Sequence, residues 1–487
     1  MKRSSPLSPL WLGAFGLLVL NLTPVAQAAD DIDPRLRTIG PSLMRDAPEA
    51  IPARPPSGQA ASNGDRLGLA ASNGDRLGLA EAVLTAAQWH PSIAEAVGNL
   101  YKQGEGINVA RAGYYPQISG GIRTGYDTGY GGDRSSQALN LSLKQMLYDF
   151  GKVDNAVSAA QAAATRAQAN ILLVVDDLAR DTAYAWIETR RYEQLMVIAR
   201  DQIRGVGDIA SMARQRSDMG ASTRSDVVQA ESRVEGARAT LEEYQSQYER
   251  WRSTLAELLG RVAPPALAEE SPPELNQACK RSTGGSDRLP AVLMALALRA
   301  QSQAELAQAK AEAYPTLSLQ PQVNHYLDND YNRDNRSLDR TQAGIYLNVE
   351  VPIYQGGAIS ARSRAAGHAL SAADSAEDAA RLQARRGLAE AMAQTSGLGR
   401  RLNALEARQT SIQEARELYG RQYLDLGTRP LLDLLNAEQE IYQSRFELAG
   451  TRSDLLRLDV DCLYNSGALR TAFGLEGRNL QGVEIEP

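Results

Sequence analysis

The side chains most used for metal binding and acid–base chemistry are sparse in this chain. It has three histidines, His90, His325 and His368, and two cysteines, Cys279 and Cys462. A structural zinc site needs four such ligands at short, repeated spacings, and these five fall into no such pattern. The sequence also holds no glycine-rich phosphate loop and no nucleophile elbow. Each histidine therefore reads as structural, no cofactor or metal is implied, and the chain is expected not to be an enzyme. The cysteines retain one chemistry, with each other. An oxidising compartment permits a disulfide, but spacing alone leaves a Cys279–Cys462 bridge and two separate thiols as equal alternatives.

The first 28 residues carry an export signal. Lys2 and Arg3 precede an apolar run from Leu10 to Leu20, and Ala26-Gln27-Ala28 supplies the small residues of a cleavage site. That run is shorter than the roughly 20 residues a spanning helix needs, and no later segment approaches about 18 consecutive apolar residues. Membrane contact, if any, must come from a β-barrel. Loss of Lys2 and Arg3 with the signal takes the formal charge from −6 to −8. A net acidic chain with no basic tract argues against nucleic acid as a partner.

Residues 29–80 read as a periplasmic linker rich in Pro, Gly, Arg and Asp. It includes a perfect tandem copy of ASNGDRLGLA, at Ala61 to Ala70 and Ala71 to Ala80, to which no function attaches. Beyond it the chain repeats on a larger scale. A Tyr-Pro step follows a helical pattern at RAGYYPQIS around Pro116 and again at KAEAYPTLS around Pro315. An apolar strand ends in MLYDFG at Gly151 and in PIYQGG at Gly357. Gly220, Asp226, Ala230 and Glu231 are matched in order by Gly427, Asp433, Ala437 and Glu438. The chain is thus expected to hold two like units, 81–261 and 290–475. Between them lies a Pro/Gly-punctuated connector, 262–289, read as no part of a core; a short polar tail, 476–487, follows the second unit.

Each unit alternates strongly after its Tyr-Pro step. Ile118, Gly120, Ile122 and Thr124 share one strand face, as do Leu139, Leu141 and Leu143. In the second unit Leu317, Leu319 and Val323 do so, and then Ala343, Ile345, Leu347, Val349, Val351 and Ile353. Four strands are expected, at about 116–130, 136–149, 316–326 and 341–354, with loops at Gly129 to Ser136 and Asp328 to Arg340. Period-two alternation suits a membrane barrel wall, and a half-buried soluble sheet equally fits it. In lipid, four strands would leave open edges whose unpaired backbone groups cost several kcal/mol each. A membrane reading therefore requires several chains to share one barrel, without fixing their number.

Between the strands and the Gly220 and Gly427 landmarks run two proline-free helical patterns of about 70 residues, each roughly 100 Å long at 1.5 Å per residue. Small and apolar residues such as Val157, Ala160, Ala164, Ile171, Val175 and Leu178 recur at helical spacing. Gly205 and Gly207 weaken the first of these patterns and leave a local kink open there. Taken alone, these helices favour an ordinary long coiled coil, as in a soluble periplasmic adaptor.

Two segments carry a resemblance. LGTRPLLDLLNAEQEIYQSRFELAGTRSDLL, from Leu426 to Leu456, resembles the periplasmic tip and ascending helix of TolC-family outer-membrane factors. HPSIAEAVGNLYKQGEGINVARAGYYPQISGGI, from His90 to Ile122, is similar to their first helix and strand. The extension at one end and the polar tail at the other resemble the LapE-like type I secretion factors within that family. The resemblance implies an α+β membrane protein: a homotrimer with a twelve-stranded outer-membrane β-barrel, four strands per chain, continued by a long α-helical periplasmic barrel. It implies a channel for unfolded protein, with drug or metal efflux as the alternative. Its implied partners are a periplasmic adaptor (membrane fusion protein), an inner-membrane ABC transporter, a secreted protein cargo and outer-membrane lipid.

The resemblance also implies roles at the periplasmic tip. Arg429 would be a gate residue, linked to Ser225 and Asp226 of the first unit's tip by charge-assisted hydrogen bonds. The acidic ring at the aperture falls on Asp433 and on Asn436, an amide where the family pattern has a second carboxylate. The family's gating tyrosine has no clean match: Leu424 stands at the expected place, with Tyr423 beside it. Gly220 and Gly427 would make the tip turns with positive φ.

Overall fold

The computed structural model of the chain describes residues 76–127, 134–269, 272–282, 285–327, 339–424 and 427–485. The expected export signal, most of the linker, the first tandem copy and the tips of both strand loops lie outside these residues.

One run of elements occurs twice. Helix α2 (Pro91–Arg111) leads into strands β2 (Gln117–Asp127) and β3 (Arg134–Tyr148), then helices α3 (Lys152–Asp218) and α4 (Arg224–Leu258). Helix α6 (Pro290–Ala311) leads into β5 (Thr316–Tyr326) and β6 (Thr341–Glu350), then α7 (Ala358–Leu424) and α8 (Leu431–Ser466). Local chemistry explains the boundaries. Asp149 starts α3 by accepting from the backbone N–H of Gly151 and Val153, at 3.0 and 2.7 Å, with Gly151 at φ +87°. Thr223 and Asp226 close a reciprocal capping box at the start of α4. Pro430 precedes α8, and Gly467 ends it in the left-handed conformation.

The four strands form one antiparallel sheet in the order β2-β3-β5-β6. Register sorts its faces. Ile122 opposes Leu139, Leu141 opposes Val323, and Leu319 opposes Leu347, so the apolar positions share one face. That face is bare: Ile118 is 70% and Ile345 74% exposed. Opposite it, Ser119 bonds to Ser142 and Asn140 to Asn324, each at 2.7 Å. Strands β2 and β6 have no described strand on their outer edges.

Helices α3 and α7 are each 67 residues long, about 100 Å. Helix α3 runs through Gly205 and Gly207 as one element, and a Cβ at Gly205 would overlap the Glu438 carboxylate of α8. That glycine is a notch for a neighbour. Within one chain α7 buries only Ala373, Ala391, Leu405 and Tyr423.

The main core sits midway along α3. Helix α1 (Leu79–Trp89), α2 and α8 pack there around Trp186, whose indole N–H donates to the Leu77 carbonyl at 3.0 Å. Three expectations fail at this core. The connector contributes β4 (Ala266–Leu267), paired in parallel with β1 (Arg76–Leu77), and helix α5 (Ala278–Arg281); Leu267, Leu275 and Ala278 are buried. The linker ends short of Arg76, because Leu77 and Leu79 belong to the core. The tail is no polar appendage. After α9 (Leu469–Ala472) come β7 (Asn479–Leu480) and β8 (Val483–Glu484), and Leu480, Val483 and Ile485 are buried. Pro and Gly bend these segments, and the apolar residues between the bends are enough to pull them inward. Cys279 of α5 and Cys462 of α8 are joined as a disulfide.

Candidate functional site

The end of the molecule farthest from the sheet is where the two helical hairpins, α3/α4 and α7/α8, turn. Gly220 and Gly427 hold φ of +74° and +64° in these turns, a region open to glycine at no steric cost. Just above them, Val206, Ile209, Ala210 and Ala213 of α3 pack with Ala230 of α4, Tyr423 of α7 and Leu431, Leu434 and Leu435 of α8. This small apolar cluster ties one hairpin to the other.

Polar contacts between the hairpins surround it. Arg216 of α3 lies over the Tyr423 ring, 4.7 Å from its centroid, and donates to the Tyr423 carbonyl at 3.2 Å. Arg233 of α4 reaches α8, donating to the side-chain oxygens of Gln439 and of Asn436, the latter at 3.4 Å. Tyr442 of α8 donates from its hydroxyl to the Asp201 carbonyl of α3 at 2.9 Å, and burial raises that hydroxyl's pKa.

The residues singled out by sequence are arranged otherwise than expected. Arg429 donates to Gln422 at 2.9 Å and to Asp433 at 2.8 Å, and lies 4.3 Å from the Tyr419 ring centroid. All three partners belong to its own hairpin. Asp226 accepts from the Ser222 hydroxyl at 2.8 Å and the Thr223 N–H at 3.1 Å. Those bonds, the Ser222 one foremost, hold its carboxyl below the usual range. Ser225 pairs with the Thr223 hydroxyl at 2.7 Å. The structure therefore does not bring Arg429 to Ser225 or Asp226 within the chain, where the Asp226 carboxylate caps α4. Asp433 is paired with Arg429, and Asn436 with Arg233. Tyr423 was in view as a neighbour of the expected tyrosine position. Nothing in the pattern of α3 marked Arg216, since its role depends on which hairpin lies alongside. Elsewhere, His90 caps α2 and His325 bonds Thr341 at 2.8 Å.

The outer membrane efflux protein family model matches residues 83–261 and 287–460, most of the chain. The chain belongs to that family. It is similar to the outer membrane efflux protein BepC of Brucella suis, 24% identical over 398 residues that cover 79% of this chain and 82% of that one. A stretch of 172 residues is 33% identical to the proteases secretion protein PrtF of Dickeya chrysanthemi, covering 34% of this chain and 36% of that one. Its fold is shared with CusC, a transmembrane channel, at TM-score 0.71 and 17% identity over 80% of this chain and 91% of that one. VceC, an outer membrane protein of Vibrio cholerae, matches at TM-score 0.69 and 18% identity over 80% and 96%. The efflux-protein family contains TolC, with which this chain is 22% identical in the Vibrio cholerae form. The chain is accordingly a TolC-family outer-membrane factor, an outer-membrane channel protein extending into the periplasm, and not an enzyme.

Proposed function

We propose that three copies of this chain assemble into one conduit, a twelve-stranded barrel continued by a helical tunnel, that passes unfolded protein through the outer membrane as part of a type I secretion system. One observation carries the reading: a four-stranded sheet with an exposed apolar face and, among the described residues, no strand on either outer edge. Open edges are untenable in hydrocarbon, and sister strands on β2 and β6 would satisfy them. The sparse burial along α7 supports the same conclusion, since a helix of that length needs neighbours to cover it.

An inner-membrane ABC transporter and a periplasmic adaptor would deliver the cargo to the tip. The gate there is assigned to the joint between the hairpins, with Arg216 and Tyr423 holding it, and with Arg429, Asp433 and Asn436 at the aperture. The stretch shared with a proteases secretion protein favours protein cargo. The longer match to BepC, an outer membrane efflux protein, supports the second reading, drug or metal efflux. Cross-linking in cells followed by capture of the tagged chain separates the two. Recovery of an ATP-driven transporter, with loss of a secreted protein on deletion, supports secretion. Recovery of a proton-driven pump, with loss of drug or metal resistance, overturns it.

A further inference from the structure

Glu438 of α8 is a carboxylate buried at 3% exposure, an expensive place for a charge unless it is paired. Its Oε2 accepts from Arg416 Nε of α7 at 2.8 Å. Its Oε1 faces α3 at Gly205, where the absence of a side chain makes the room: a Cβ would overlap that oxygen and stand 2.9 Å from the Tyr442 hydroxyl. Tyr442, one turn along α8, bonds the Asp201 carbonyl one turn before Gly205. Three helices from both hairpins thus meet at one carboxylate, seven residues into α8 and so about 10 Å above its start.

We propose that Glu438, seated in the Gly205 notch and held by Arg416, is the positioning residue that sets the register of the α7/α8 hairpin against α3 in the closed tunnel. The proposal rests on the channel reading above. A helix interior ordinarily disfavours glycine relative to alanine, so a glycine here serves the neighbouring helix more than its own. Gly207 is the internal contrast. Two residues on in the same helix, a Cβ there meets nothing within 4 Å. Only one of the two glycines makes room for a partner.

The two glycines therefore give a matched test. The full-length protein is reconstituted in planar bilayers, and the closed-state conductance of Gly205→Ala and Gly207→Ala is compared with wild type. Alanine favours helix at both positions, so a propensity effect moves both variants alike. Gly205→Ala is expected to raise closed-state conductance severalfold, because Glu438 is driven from its seat, while Gly207→Ala conducts as wild type. Glu438→Ala should reproduce the rise. Glu438→Gln, whose amide oxygen still accepts from Arg416, should restore most of the closed state. Wild-type conductance in an assembled Gly205→Ala channel would overturn the lock, as would equal opening by both alanine variants. If Gly205→Ala does not assemble, the Glu438 pair decides: indistinguishable conductance of Glu438→Ala and wild type overturns the proposal. A wild-type chain that forms no channel would instead reject the parent reading.

Discussion

The guanidinium of Arg216 lies over the ring of Tyr423 and bonds to the carbonyl of the same residue, so one arginine of the first hairpin grips one tyrosine of the second twice. Either substitution, Arg216→Ala or Tyr423→Ala, should release the tip. Single-channel conductance is expected to rise severalfold in both, and the double variant should add little, since both remove one contact. Additive effects would show that the two residues act separately.

Arg429 makes a different prediction. Its partners Gln422, Asp433 and Tyr419 lie on its own hairpin, and its main consequence is to mask the Asp433 carboxylate. Arg429→Ala should therefore tighten block by a trivalent cation added from the periplasmic side, with a smaller change in conductance than Arg216→Ala. Asp433→Ala in the Arg429→Ala background should abolish the added block. Blocking curves for the two variants and wild type check this directly.

The disulfide spans 183 residues of sequence and pins α5 to α8 beside the main core. Closing so long a loop in the unfolded chain is worth about 2–5 kcal/mol. Cys279→Ser/Cys462→Ser should shift the denaturation midpoint of the detergent-solubilised protein accordingly, and reductant should destabilise wild type alone. Conductance should be unchanged, because the bridge lies far from the tip.

What could be read from the sequence, and what could not, divides by the range of the interaction. Strict alternation from Ile118 and from Ala343 marks strands, because the side-chain period of a strand is local geometry. The absence of proline after Gly151 and after Gly357 marks long helices for the same reason. The connector and tail join the core because Leu275 and Ile485 are buried by partners far away in sequence, which composition does not reveal. Asp226 shows the converse. A resemblance supplied a distant partner, Arg429, while within the chain Asp226 closes a capping box with Thr223, three residues back. Gly205 had a local meaning, weakness, and its actual surroundings, Glu438 and Tyr442, appear only when α8 is laid against α3.

A pH dependence follows from the core. Asp176 of α3 is paired with Arg470 of α9, at 2% and 4% side-chain exposure. Burial pushes the Asp176 carboxyl up to about 6 despite the opposing pull of Arg470. A folded pKa above the unfolded value of about 4 means that this group's contribution is fully present below pH about 4. It is lost as pH rises through about 6. Thermal unfolding of the solubilised protein between pH 4 and 7 should show this decline. Asp176→Asn, which has no proton to lose in this range, should show a flatter profile.

The central claim is that one chain supplies part of a lipid-embedded wall which only sister copies complete. Native mass measurement of the protein extracted from outer membranes in mild detergent tests it most directly. The account predicts a complex of three chains that heat dissociates to single ones. A stable single chain, soluble without detergent, would contradict it.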